Sequence, residues 1–313
     1  MTEKELLYVK TIADCSSFSK ASEQLFISQP SLSKCVSNIE KDLGVPLFIQ
    51  TNKGLILTDA GQSYYNMACN ILNLYDEFTQ EISDFNDLNG GKIKIGVPTY
   101  LSLLLLPDVL CRFKQHYPNV LLELVEQNSL SLESMLINSQ LEFAFVHSAP
   151  EFQDKHFNYT PLLKDSIIIV LQKGDPAGQY AYGKDTLTGF PFLDMKHLER
   201  HPFITIGRGQ RSRMFNDYIL KQLDYTPNVI LTTHNYETGR RFACSGLGVT
   251  LMPWQYLRSF STGIQGDYYA ISPEYRSQWD ISIITVKGHY ISFGSRTFIN
   301  AVLNYFHQES SRI

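Results

Sequence analysis

Between Phe18 and Phe48 the chain leaves little choice of local structure. Ala21 and Leu25, one turn apart, give a short helix a single apolar face. Ser28 offers a side-chain oxygen as an N-cap, and Pro30 falls where a missing N–H costs little. Leu32, Val36, Ile39 and Leu43 recur at threes and fours and predict the buried stripe of a second helix. Gly44 ends that helix and Pro46 keeps it ended. Two helices joined by a tight turn are expected here.

The outer face of the second helix then carries Gln29, Ser31, Ser33, Lys34, Ser37 and Asn38. These short polar side chains suit the major groove of duplex DNA, where Gln and Asn pair with adenine, Lys with guanine, and Ser with phosphates or bases. A solvated amphipathic helix of any small helical domain would present the same face. The spelling Ala21…Leu25…Ser28-Gln29-Pro30-Ser31-Leu32-Ser33…Val36…Ile39-Glu40…Leu43-Gly44…Leu47-Phe48 resembles the helix-turn-helix of LysR-type transcriptional regulators. The resemblance continues through Gly54-Leu55-Ile56-Leu57-Thr58-Asp59-Ala60-Gly61. It implies that Gln29, Pro30, Ser33 and Lys34 reach double-stranded DNA in the groove, with Ser19, Ser28, Ser31 and Lys53 near phosphates.

Charge runs against a strong electrostatic grip. The first sixty residues hold six lysines, no arginine and seven acidic residues, a net charge of −1, within a chain of net charge −4. Nucleic-acid-binding modules usually carry a basic footprint. Phosphate contacts should therefore be few, and affinity modest or reliant on several copies. The family usually places arginine after the Leu-Phe pair and in the following turn; this chain has Gln50 and Lys53.

Thr2 and Glu5 fit a capping box that opens a first helix, with Leu6, Val9, Ile12 and Ala13 facing inward. Phe48-Ile49-Gln50 and Leu55-Ile56-Leu57 flank Thr51-Asn52-Lys53-Gly54 and read as a hairpin, the wing of a winged helix. Thr58 caps a long helix. Tyr64, Ile71, Phe78 and Phe85 lie seven apart in it and keep an apolar stripe on one side. Its position between two domains favours a dimerising linker over a helix lying on its own domain. Asn86 to Gly91 reads as a joint.

From Lys92 the pattern alternates strands with helices, which predicts a parallel sheet with crossover helices. Strands are expected at Ile93–Val97, Val120–Val125, Leu141–Val146, Ile167–Leu171, Phe203–Ile206, Val229–Thr232 and Trp279–Val286. Gly174 to Pro191 reads as an irregular insert. The family resemblance implies a two-lobed, periplasmic-binding-protein-like α/β effector domain. The chain as a whole is expected to be a winged helix-turn-helix (1–58), a linker helix (59–89) and that domain (90–313). Lobe I would span about 90–162 and 272–313, and lobe II about 163–271.

Ligands of open α/β sheets bind beyond the carboxyl ends of strands, against helix N-termini. Five strand ends qualify here, and the same loops line the effector cleft in LysR-type proteins. The candidate effector residues are Thr99, Tyr100, Leu101, Ser102, Asn128, His147, Thr205, Gly207, Arg208 and Arg211. Arg208 and Arg211 beside a helix start favour a small anion, most simply a carboxylate.

Enzymatic signals are weak. Gly246-x-Gly248 lacks a third glycine, His197 and His201 stand four apart but Pro202 argues against a continuing helix, and no nucleophile elbow or P-loop occurs. No cofactor, metal or catalytic residue is expected. Cys15, Cys35, Cys69, Cys111 and Cys244 form no disulfide pattern and read as small buried thiols of a reducing cytoplasm. No apolar run reaches membrane-spanning length and Met1-Thr2-Glu3-Lys4-Glu5 does not open a secretory signal. The reading is a cytoplasmic LysR-type regulator, a homodimer or homotetramer, with DNA, a small effector and RNA polymerase as candidate partners and no membrane. Its rivals are a two-lobed solute-binding protein or enzyme, and a regulator sensing oxidation through Cys111 and Cys244.

Overall fold

The computed structural model of the chain describes residues 2–51, 54–84, 91–259 and 263–310. They fall into two units, each taken by itself.

The first unit is helical. Helices α1 (Glu3–Cys15), α2 (Phe18–Gln24) and α3 (Gln29–Leu43) precede a hairpin of β1 (Phe48–Thr51) and β2 (Gly54–Leu57), and α4 (Asp59–Asp84) follows. The Thr2–Glu5 capping box forms, with the Glu5 carboxylate accepting the Thr2 N–H at 2.6 Å. Ser28 caps α3 by accepting from the Ser31 N–H, and Gly44 ends it in the left-handed region at φ 73°. Leu6, Val9, Ile12, Ala21, Leu32, Val36 and Ile39 make one core with Leu47, Leu55, Tyr64 and Ala68. Leu43 does not join it: the last turn of α3 runs past the core, and Leu43 is half exposed.

Two polar contacts fix where the hairpin leaves the helices. Glu40 Oε1 accepts the backbone N–H groups of Leu47 (2.7 Å) and Phe48 (3.3 Å). Thr58 Oγ1 donates to the Pro46 carbonyl (2.7 Å) and accepts the Gly61 N–H (2.8 Å), capping α4. Gly61 has to be glycine, since a Cβ there would stand 2.0 Å from the Leu47 carbonyl oxygen. Early in α4 Tyr64, Ala68 and Cys69 are buried; further along, Leu74 and Phe78 are exposed. Phe85 of the expected stripe, and Lys53 in the hairpin turn, lie outside the described residues.

The second unit is α/β. In chain order it runs β3 (Lys92–Val97), α5 (Thr99–His116), β4 (Leu121–Glu126), α6 (Ser129–Ile137), β5 (Ala144–Ser148), β6 (Phe157–Gln172) and β7 (Phe192–Leu193). It continues with β8 (Pro202–Ile206), α7 (Arg211–Leu220), β9 (Asn228–Thr233), α8 (Tyr236–Cys244), β10 (Val249–Pro253), α9 (Trp254–Ser259), β11 (Gly266–Ile271), β12 (Gln278–Val286) and α10 (Phe293–Ser310). The strand order is β4-β3-β5-β12-β6-β10-β8-β9, with β11 also paired to β6.

Parallel pairing runs toward the outer strands, β4-β3-β5 and β10-β8-β9, and joins the short β7 to β11. The centre is antiparallel. The 16-residue β6 pairs with β12 from Phe157 to Ser166, then with β10 and β11 from Ile167 to Gln172. One strand thus serves two lobes, each with its own core. The expected parallel sheet with crossover helices is met in the outer strands and not at the centre, because β6 and β12 run between lobes, a tertiary arrangement that local periodicity does not encode. Strands β10 and β11 were not anticipated. The insert at 174–191 buries Ala177, Asp185 and Thr188 and holds a 3₁₀ turn at Pro176–Tyr180. Of the cysteines only Cys69 is buried, and Cys111 is exposed.

Candidate effector cleft and DNA-reading surface

A cavity of about 560 Å³ opens where strand ends of the two lobes meet. All five expected strand ends reach it: Pro98 to Tyr100 after β3, Glu126 to Ser129 after β4, His147 in β5, Arg208 to Ser212 after β8, and His234 to Tyr236 after β9. Of the ten candidate residues, Thr99, Tyr100, Asn128, His147, Arg208 and Arg211 line it.

The other four stand behind the wall. Leu101 is fully buried in the core of lobe I. The Ser102 hydroxyl turns away to the Thr99 carbonyl (2.8 Å) and the Glu126 carboxylate (2.6 Å). Thr205 is buried within β8. Gly207 acts by lacking a side chain: a Cβ would meet the His234 ring at 2.2 Å, so glycine lets that ring occupy the wall. Leu103, Glu126, Ser129, Ser212, Tyr236 and Tyr256 line the cavity and were missed. Tyr236 follows a strand end and was findable by the same rule. Tyr256 follows β10, and missing the strand meant missing the residue.

Four helices begin at this cavity, and their caps differ. Asn128 accepts the Ser131 N–H at the start of α6 (3.0 Å). Asn235 accepts the Glu237 (2.8 Å) and Thr238 (3.3 Å) N–H groups at the start of α8. Helices α5 and α7 begin at Pro98 and Gln210, and neither makes a side-chain capping bond. Apart from the Arg213 N–H, which reaches the Gln210 carbonyl (3.1 Å), the first-turn N–H groups of those two helices are left for another acceptor, and each N-terminus carries a partial positive charge.

The cations are not equivalent. Arg211 pairs with Glu133 of α6 and donates to the Phe152 carbonyl (3.4 Å), so its charge is already matched across the cleft. Burial raises the Glu133 pKa above the usual carboxylate value, against the pull of Arg211. Arg208 is exposed on the wall. Three tyrosines form the aromatic side: Tyr100 lies 5.2 Å from Tyr236 and 6.0 Å from Tyr256, ring centre to ring centre.

His147 forms the floor and is almost wholly buried. Its Nε2 lies 3.3 Å from Asp165 Oδ2, the Tyr100 hydroxyl is within hydrogen-bonding reach of both ring nitrogens, and Trp279 stacks on it at 3.9 Å. Burial lowers its pKa from 6.5, assisted by Arg211 and opposed by Asp165.

In the first unit Ser19, Ser28, Gln29, Pro30, Ser31, Ser33 and Lys34 are all exposed. Ser28 and Ser31 share a hydroxyl–hydroxyl bond of 2.7 Å at the start of α3.

Two family models match. The bacterial regulatory helix-turn-helix protein model of the lysR family matches residues 4–62, and the LysR substrate binding domain model matches residues 86–307. The chain belongs to the LysR family. It is a DNA-binding transcriptional regulator with an effector-binding domain. It is similar to the uncharacterized HTH-type transcriptional regulator YcgK of Bacillus subtilis, at 27% identity over 96% of this chain and 93% of that one. In fold it is similar to a full-length OxyR variant of Pseudomonas aeruginosa, with a TM-score of 0.69 and 22% identity, covering 98% of this chain and 94% of that one. It is also similar to full-length CbnR in complex with its target DNA, with a TM-score of 0.63 and 17% identity over 98% and 99% of the two chains. No described helix of this LysR-family chain is long and apolar enough to cross a membrane.

The buried imidazole gives a pH prediction. A histidine whose folded pKa lies below its unfolded value takes up a proton more readily when unfolded, so the stability it protects is full above pH 6.5 and is lost as pH falls below it. Chemical denaturation between pH 8 and pH 5 should show the wild-type chain losing up to about 1.4 kcal/mol per pH unit more than His147→Gln below that point. Parallel curves would mean that His147 is protonated in both states or in neither.

Proposed function

We propose that this regulator reads duplex DNA through α3 as a dimer held by α4, and that a small organic anion bound in the cleft controls it. The division at 1–58, 59–89 and 90–313 follows from this reading, as do the lobe limits given above. Action on DNA places the chain in the cytoplasm, and no catalytic role is assigned.

One observation carries the effector reading: two helix N-termini without side-chain caps, α5 and α7, open into one cavity beside Arg208. A carboxylate supplies the acceptor that both lack. Arg208, rather than the Glu133-paired Arg211, is the cation assigned to it, with the Thr99 hydroxyl opposite. The tyrosines then offer a flat apolar surface to the rest of the molecule. Thiol sensing at Cys244 is disfavoured, because burial pushes that thiol's pKa up and so lowers its thiolate fraction.

For DNA, Gln29→Ala and Lys34→Ala should each weaken binding to the specific site by about 1–3 kcal/mol and relax the base preference there. Unchanged affinity in both variants removes them from the recognition surface.

For assembly, exposed Leu74 and Phe78 on α4 support a seam with a second copy. Phe78→Asp should convert the oligomer seen by light scattering to a smaller species; an unchanged mass places the seam elsewhere.

For the effector, calorimetry with a panel of small carboxylates should find one-to-one binding that persists at raised salt. Thr99→Val and Arg208→Ala should weaken it roughly 10- to 100-fold, since hydrogen bonds to a charged group contribute about 1.5–3 kcal/mol. Binding that vanishes with salt and ignores Thr99 would instead describe a surface patch of arginines.

A further inference from the structure

The turn between α2 and α3 holds a phenylalanine where such turns usually hold glycine. Leu25 caps α2, and Phe26 follows in the left-handed region at φ 54°. The Phe26 N–H donates to the Glu23 carbonyl (3.3 Å) and the Ile27 N–H to the Ser22 carbonyl (3.1 Å). Those are the paired bonds of a Schellman ending, with Phe26 at the position after the cap. They fix the backbone, so the left-handed conformation is imposed on whatever residue stands there. Glycine adopts it freely and asparagine readily. A bulky L-residue crowds its Cβ against the next carbonyl.

Burial of the ring would offset that strain, but Phe26 is 95% exposed, more than any other large hydrophobic side chain described. Its neighbours Leu25 and Ile27 pack on the core of the unit. Neither backbone preference nor packing therefore favours phenylalanine at this site. Its place in the fold supplies the remaining reason. Phe26 lies three residues before Gln29, and Ser28 to Ser31 behind it are exposed. This is the amino end of α3, the end by which a recognition helix enters the major groove.

We propose that Phe26 is a DNA-contact residue, its ring packed on the apolar edge of the duplex beside the bases that α3 reads. That edge is a thymine C5-methyl or a deoxyribose, both of which take an aromatic ring without charge. The proposal rests on α3 being the recognition helix. It fits a chain whose first sixty residues carry a net charge of −1, so that phosphate neutralisation supplies little.

The test uses the full chain and a duplex selected from a random pool by the wild-type protein. Phe26→Gly and Phe26→Asn should bind that duplex at least tenfold more weakly, with the slope of affinity against salt unchanged. Their thermal midpoints should equal or exceed the wild type, because the turn is relieved. Replacing thymidine by deoxyuridine should weaken the wild type alone if the methyl is the contact, and neither protein if it is the sugar. Undiminished affinity in both variants overturns the proposal, as does a lowered midpoint, or a loss of oligomer with affinity intact. Gln29→Ala run alongside separates the two readings: an effect there with silent Phe26 variants sinks only this proposal, and silence in all of them sinks the assignment of α3.

Discussion

Asp165 sits fully buried at the point where β6 leaves one sheet and enters the other. A buried carboxyl is tolerable only if its oxygens are hydrogen-bonded. Here Oδ1 accepts the Ser166 N–H (2.8 Å) and the Gln255 N–H at the start of α9 (3.0 Å), while Oδ2 takes His147 of β5. One side chain thereby ties β5 of lobe I, the shared strand, and α9 of lobe II. It also orients the imidazole on the floor of the cleft. The cleft is built around this node, and any relative movement of the lobes has to turn about a strand whose only buried acid is already committed to both sides.

Above that floor, the wall separates support from recognition. Asn128 and Asn235 close two helix starts with their own side chains, whereas Pro98 cannot and Gln210 does not. Proline preorganises the backbone but has no hydrogen-bonding side chain, so α5 starts in a defined direction with its N–H groups still available. Arg211 holds Glu133 across the cleft and sets the spacing that Arg208 and Thr99 then face. Gly207 contributes by absence, making room for His234.

What the sequence made legible was local. The caps at Thr2, Ser28 and Thr58, the αL stop at Gly44 and the convergence of five strand ends all follow from side-chain chemistry within a few residues. Glu40 entered only as a letter in a family spelling, and its reason lies seven residues on, in the Leu47 N–H it accepts. What was not legible was long-range. Val249–Pro253 is buried throughout, but a short apolar run ending in proline reads equally as loop or helix. Its place beside β6 is decided by sheet pairing, and Tyr256 went unseen with it. Arg211 looked like an anion ligand because its partner Glu133 is 78 residues away.

The charge of the first sixty residues constrains how such a regulator finds its site. With six lysines against seven acids, counterion release contributes little, and the affinity of one copy rests on hydrogen bonds and apolar contacts made at close range. Such contacts discriminate sequence better than charge does, but they do not hold a protein on random DNA. Pairing two copies changes the balance, since the second contact is made at an effective concentration set by the connecting helix rather than by the solution. A weakly charged reading head joined to a long α4 is therefore a coherent design. Low non-specific affinity leaves the chain free, and the geometry of the assembly, which a bound effector can alter, decides whether both heads reach DNA together.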